Sequence, residues 1–198
     1  EGTRVCFTGE SKRFFEESSN FLFIFLLSIV SIYLVLSAQY ESFRDPLIIL
    51  FSIPMAMIGG IIGLAIMDGS FKMNGIIPEF TFGSMSIFGK IGLVTLVGLI
   101  TKHGILIVDF ANQLMEQGKS RVEAVIEASG LRLRPILMTT LAMVLGALPL
   151  ALAHGAGAES RRQIGWVIVG GMSIGTLFTL FIVPAVYIYF SPENFTRV

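Results

Sequence analysis

Four long stretches of the chain carry no Asp, Glu, Lys or Arg: Phe21 to Tyr40, Pro46 to Met67, Pro135 to Ala158 and Gln163 to Pro192. A fifth, Ile91 to Ala111, is apolar around Lys102. Each reaches the roughly 20 residues that a helix needs to cross a bilayer. An amphipathic helix of a soluble protein would show a polar stripe every three to four residues, and these runs do not. The pattern predicts an all-α integral membrane protein, a bundle of five transmembrane helices at about 21–40, 46–67, 88–114, 135–154 and 164–190. The last run exceeds one bilayer thickness, so its helix should tilt or protrude.

Punctuation between the runs refines this. Arg4 to Thr8 could be a short strand, and Ser11 to Ser19 a helix bringing Phe14 and Phe15 to the membrane surface. Pro46 suits the first position of the second span, and Pro54 should kink it. Gly59 and Gly63 form a small-xxx-small pair, and Gly170, Gly171 and Gly175 offer a second small-residue face. Asp68 to Gly89 reads as a long loop, with Lys90 preceding the third span. Ser120-Arg-Val-Glu123 reads as a capping box for a surface helix over about 120–130, with Val122, Val125, Ile126 and Ser129 on one face and Gly130 as its end. Pro135 then opens the fourth span and Pro149 bends it.

Composition narrows the function classes. Hydrophobic residues make up 54% of the chain and charged residues 14%, which agrees with membrane insertion. Net charge is zero and no basic run occurs, so no nucleic-acid partner is expected. Cys6 is the one cysteine, which leaves no internal disulfide and no cysteine metal cluster; no cofactor is expected. The first 20 residues are polar and mixed in charge, without a cleavable signal, and the expectation is a chain that begins inside a longer protein. Five spans put the two ends on opposite sides of the membrane. Counting Lys and Arg in the short connections, the face bearing Glu41–Asp45 and Glu116–Arg134 leads by six to four, which makes it cytoplasmic, 191–198 included.

Lys102 carries the sharpest chemical signal. A charge at mid-bilayer costs about 2.5–3.5 kcal/mol on insertion scales, and such residues face protein or water and have partners. Lys102 lies about 16 Å from Ile91 and about 15 Å from Asn112 along the helix, too deep to snorkel easily. Asp109 is two turns away, about 10.5 Å along the axis, beyond direct pairing. It reads as a boundary or structural carboxylate, with proton entry as the accessory reading. No carboxylate in the chain reaches Lys102, so the partner should lie on another chain or another part of the protein. His103 points about 100° around the helix from Lys102 and reads first as a histidine hydrogen-bonded between helices, although its titration range keeps a proton role open. Thr101, Thr139 and Thr140 are hydroxyls at membrane depth, and such threonines mostly bond their own helix backbone. Gly171-Met-Ser173-Ile-Gly175 matches a hydrolase elbow by letter, but that motif needs a strand–turn–helix context; no enzyme activity is expected.

Taken in order, these features resemble the resistance–nodulation–division (RND) superfamily, specifically its hydrophobe/amphiphile multidrug efflux branch. The resemblance rests on Gly92-Leu-Val-Thr-Leu-Val-Gly-Leu-Ile-Thr-Lys102-His-Gly-Ile-Leu-Ile-Val-Asp109-Phe-Ala-Asn112, on Leu131-Arg-Leu-Arg-Pro135-Ile-Leu-Met-Thr139-Thr-Leu, on Gly146 to Gly157 and on Tyr40-Glu-Ser-Phe43. It implies the C-terminal membrane half of a twelve-helix transporter domain in the bacterial inner membrane, with 1–20 as the end of a periplasmic porter region. It further implies a proton relay in which Lys102 matches the intramembrane lysine and Thr139 its hydroxyl partner, with Asp109, His103 and Thr140 as possible accessories. The relay aspartates would lie on the N-terminal half. Implied partners are that half, two further copies in a homotrimer, a periplasmic adaptor, an outer-membrane channel, membrane lipids and hydrophobic or amphiphilic drugs. The chain departs from the family in having His103 where Asn is usual, and in the length of the Asp68–Gly89 loop. The implied function is proton-driven multidrug efflux. The alternatives are an RND-type exporter of lipids or other amphiphiles and a non-transporting membrane fragment.

Overall fold

The computed structural model describes residues 10–67 and 86–190, with side chains from Phe21 onward. The described residues form six helices and no strand: α1 (Glu10–Tyr40), α2 (Arg44–Leu50), α3 (Ile53–Met67), α4 (Ile87–Glu116), α5 (Arg121–Ala151) and α6 (Ala158–Phe190). α2 and α3 together make one span, so five segments are long and apolar enough to cross a membrane. This is the all-helical bundle that the uncharged runs predict.

α4 sits at the centre, packed against α3, α5 and α6 and touched by α1 and α2. Two apolar clusters hold the bundle. One gathers Ile53, Leu64, Leu93, Leu96, Val97, Ile100 and Met172. The other gathers Ile48, Ile49, Ile107, Val108, Ala111, Val183 and Tyr187. Along α4 these are separated by His103. α1 is peripheral, with Phe23, Leu27, Leu34 and Val35 all exposed. Lipid is as apolar as these side chains, so their exposure to it costs little.

Pro54 has the effect the sequence suggests. It has no N–H for the Leu50 carbonyl, and the helix breaks just before it, at Phe51 and Ser52. The buried Ser52 turns inward, its hydroxyl donating to the Ile49 carbonyl at 2.8 Å. The glycines also behave as packing residues. An added Cβ at Gly63 would lie 2.3 Å from the Trp166 carbonyl oxygen, and one at Gly170 would lie 2.7 Å from the Gly59 oxygen and Gly63 Cα. α3 and α6 therefore meet backbone to backbone.

Four boundaries differ from expectation. The last span starts earlier, since α6 begins at Ala158 rather than near 164 and takes Arg161 and Arg162 into its first turns. The Ser11–Ser19 helix is not separate but continues into the first span as α1. The loop before the third span ends sooner: α4 starts at Ile87 with Ser86 as its N-cap, so Gly89 and Lys90 lie in its first turn. The rest of that loop, the Arg4–Thr8 strand and 191–198 lie outside the described residues. The largest correction concerns α5. Gly130 does not end a surface helix, and Pro135 does not open a new one; a single helix of 31 residues runs through both. Gly130 is not among the positive-φ glycines, so it lacks the left-handed conformation of a C-terminal cap. Pro135 removes one hydrogen bond, which the rest of a long helix bridges. The face buried by the first turns is Ala124, Val125 and Ala128, while Val122 and Ile126 are exposed. The Arg132 guanidinium lies 4.4 Å over the Phe110 ring and ties this part of α5 to α4. The Ser120 cap forms as expected: its Oγ accepts from the Glu123 N–H at 3.4 Å and donates to the Glu123 carboxylate at 2.8 Å.

A helix of this length spans about 46 Å, well beyond the hydrocarbon core. Ser120 precedes it and Gly157 follows it, so they stand at opposite ends. Single cysteines at these positions, with Cys6 replaced by Ser, are expected to react with an impermeant maleimide from opposite sides of the membrane. Reaction of both from one side would rule out this topology.

Candidate functional site around Lys102

Helical spacing divides α4 into two faces. Leu93, Leu96, Val97, Ile100, His103, Ile107, Val108 and Ala111 are buried against the other helices. The complementary stripe of Ile91, Thr95, Gly98, Lys102, Asp109 and Gln113 is exposed. Lys102 thus points out of the five-span bundle at mid-helix. Among the described residues its ammonium has no hydrogen bond or ion pair. Asp109 is also exposed, and its carboxylate accepts from the Gln113 amide one turn on, at 3.0 Å. The structure does not pair Asp109 with Lys102, in agreement with their spacing.

Thr139 is half-buried, and its hydroxyl faces its own helix, near the Pro135 and Ile136 carbonyls at 3.1 and 3.0 Å. Thr101 likewise donates to the Gly98 carbonyl at 3.0 Å. Among the described residues Thr139 and Lys102 make no hydrogen bond. The threonine that reaches α4 is its neighbour, Thr140.

His103 is fully buried. Its Nε2 lies 3.5 Å from the Thr140 hydroxyl and its Nδ1 lies 3.3 Å from the Thr176 hydroxyl of α6. The two hydroxyls are 3.2 Å apart, and Thr140 also donates to the Ile136 carbonyl at 2.9 Å. His103 is therefore hydrogen-bonded between helices, the first of its two sequence readings. Thr176 had no signal in the sequence beyond being a hydroxyl in an apolar run.

A second polar group closes the end of the bundle near the α1–α2 turn. The Asn112 amide donates to the Asp45 carboxylate at 2.9 Å, and the buried Tyr187 hydroxyl donates to the Asn112 carbonyl oxygen. The Tyr40 hydroxyl donates to the Ile105 carbonyl at 3.3 Å. These bonds join α2, α4 and α6 and fix the tight Tyr40–Asp45 connection. At the far end, the Ser86 hydroxyl bonds Gln163 of α6. α4 is thus held at both ends and in the middle by polar contacts, and Lys102 lies at the middle of the stripe left facing outward. Among the described residues no group of His, Cys, Asp or Glu could hold a metal ion.

The AcrB/AcrD/AcrF family model matches residues 1–191 of this chain. A protein of Haemophilus influenzae described as an uncharacterized transporter is 45% identical over 98% of the chain and 18% of its own length. The multidrug resistance protein MdtC of Erwinia tasmaniensis is 41% identical over 94% of the chain and 17% of its own length. MdtC of Proteus mirabilis is 40% identical over the same shares. The chain spans less than a fifth of the length of these curated relatives. The family match covers nearly the whole chain and the helices fit its membrane region, so this multi-pass membrane chain belongs to the AcrB/AcrD/AcrF family of the RND superfamily.

Proposed function

We propose that the chain forms the C-terminal membrane part of a proton-driven multidrug efflux pump in the bacterial inner membrane, with the Tyr40–Asp45 face cytoplasmic. The observation that carries this reading is Lys102, exposed on the open stripe of α4 at mid-span with no counter-charge among the described residues. An unpaired cation there is costly. A carboxylate brought against this stripe by another part of the protein would remove that cost while ionised. On protonation the carboxylate would lose its hold on Lys102, and the helices carrying the two groups would be free to shift. Such a pair couples proton uptake to movement with no enzyme chemistry and no cofactor. In this reading Thr139 of α5 would supply a hydroxyl to the pair once the helices shift, and Asp109, on the same stripe as Lys102, would be an accessory carboxylate on the cytoplasmic side of it.

Drug-like substrates, a homotrimer, a periplasmic adaptor and an outer-membrane channel follow from the same reading; the MdtC relatives are described as multidrug resistance proteins. The test is proton flux in proteoliposomes under an imposed pH gradient. The full-length protein is expected to pass protons in exchange for a hydrophobic drug, and the 198-residue chain alone is expected to be silent. Flux through the chain alone would show an autonomous carrier and overturn the requirement for an outside carboxylate. Flux coupled to lipid but not to drug would favour the lipid-exporter alternative.

A further inference from the structure

The histidine beside Lys102 is placed to do something the relay reading does not include. His103 lies in the middle of α4, between the two apolar clusters, and bonds to α5 and α6 at once. No Asp, Glu, Lys or Arg occurs in Ile53–Met67, in 135–151 or in 163–190, so the charged residue adjoining His103 is Lys102 on its own helix. The hydrogen bonds determine which protons the ring can carry. A threonine hydroxyl has one proton to donate. That of Thr140 goes to the Ile136 carbonyl, at 2.9 Å. The Thr140 oxygen is then an acceptor, and the donor facing it is Nε2–H of His103. The Thr176 proton has two acceptors in reach, the Thr140 oxygen at 3.2 Å and Nδ1 at 3.3 Å, and only donation to Nδ1 leaves both ring nitrogens bonded. This arrangement satisfies every member of the network with a neutral ring, and a satisfied buried network specifies one packing geometry.

We propose that His103, as the neutral Nε2–H tautomer, is a positioning residue that fixes the rotation of α4 and so holds Lys102 on the open stripe. Helices of a membrane bundle can turn against one another at small cost when their faces are uniformly apolar, because packing alone distinguishes the orientations. One buried polar side chain with partners on two neighbours removes that freedom: a turn of α4 by one residue position, about 100°, would take the imidazole away from both hydroxyls and leave it unbonded at mid-membrane, while Thr140 and Thr176 keep each other and the Ile136 carbonyl. The sequence links this lock to the relay at both ends. His103 adjoins Lys102, and Thr140 adjoins Thr139. The inference rests on the relay reading for its purpose but not for its geometry.

Two measurements on the reconstituted chain test it. The chain contains two histidines, and the other, His154, is exposed beyond α5, so ring-15N-labelled histidine in lipid nanodiscs gives two separable sets of signals. His103 is expected to show Nε2 protonated and Nδ1 bare. Thr176→Val is expected to shift the Nδ1 signal. A doubly protonated ring, the reverse tautomer, or an Nδ1 signal indifferent to Thr176→Val would overturn the assignment. The rotation is read by a nitroxide on Gly98→Cys, in a Cys6→Ser background, since Gly98 shares the stripe with Lys102 and has open space around it. His103→Leu is expected to lower oxygen access to that label, and His103→Gln, whose amide can both donate to Thr140 and accept from Thr176, is expected to restore it. Equal access in the wild type and His103→Leu would overturn the positioning role. Neither readout involves efflux, so failure of the relay reading and failure of this one are told apart.

Discussion

Lys102→Met is expected to abolish drug efflux by the full-length protein while leaving membrane insertion intact or improved. Methionine matches lysine in length and flexibility but carries no charge, so the substitution removes an insertion cost of about 2.5–3.5 kcal/mol. The packing of the bundle should not change, because Lys102 is exposed and makes no hydrogen bond among the described residues. On the proposed relay, what is lost is the cation that a buried carboxylate would need. An ionised carboxylate deprived of its partner is destabilised by about 3–5 kcal/mol. It would then stay protonated through the whole cycle, and uptake and release of the proton would no longer alternate. Lys102→Arg keeps the charge but spreads it over a planar fork with different reach, so it is expected to be impaired as well. Thr139→Val is expected to give a partial defect, since it removes one hydroxyl worth about 1 kcal/mol, and that hydroxyl faces its own helix. Drug accumulation in cells producing each variant at matched membrane levels is the measurement. Wild-type efflux by Lys102→Met would end the relay reading and leave Lys102 a structural residue.

Much of this architecture was legible because the bilayer restricts what a sequence can do. An uncharged run of 20 or more residues has one practical structure, a spanning helix, since every backbone group must be bonded internally. That constraint, with the Ser120 cap and the break at Pro54, carried the fold. The same rules misjudged α5. In a soluble protein Gly130 followed by Pro135 would be strong punctuation, but at the edge of a membrane a long helix gains more by remaining continuous than it loses at one proline. Lys102 was legible from depth alone. Its surroundings were not. Thr176 and Tyr187 acquire meaning only from residues 73 and 75 positions away, His103 and Asn112, and no local periodicity reports such pairs. The sequence placed Thr139 near Lys102 by resemblance, whereas the described bonds join the neighbours of both residues instead. The counter-charge for Lys102 could not be read from the chain, because the one carboxylate in its apolar runs, Asp109, lies two turns away.

The α3–α6 contact supplies the other large effect. Gly63→Ala is expected to destabilise the bundle by about 3 kcal/mol, at the upper end of the range for overpacking. The reason is the identity of the atoms in the way. The new methyl group would meet the Trp166 carbonyl oxygen at 2.3 Å, its carbon at 3.1 Å and the Gly170 Cα at 3.2 Å. All three are backbone, so no rotamer change can make room. α3 and α6 would have to move apart along their whole contact, which includes Gly59 against Gly170 and Ala56 against Gly175. Attraction between helices in lipid comes from such close packing, with no hydrophobic term to hold them once it is lost. Gly146→Ala is the control: it lies within α5, meets nothing within 4 Å, and replaces glycine with a better helix former. The two variants are compared by unfolding of the purified chain in mixed detergent micelles, followed by helical signal and Trp166 fluorescence. Gly63→Ala should unfold at clearly lower denaturant and Gly146→Ala at or above the wild-type midpoint. A Gly63→Ala protein as stable as wild type would mean that α3 and α6 do not touch backbone to backbone. The packing that presents α4, and Lys102 with it, would then need to be redrawn.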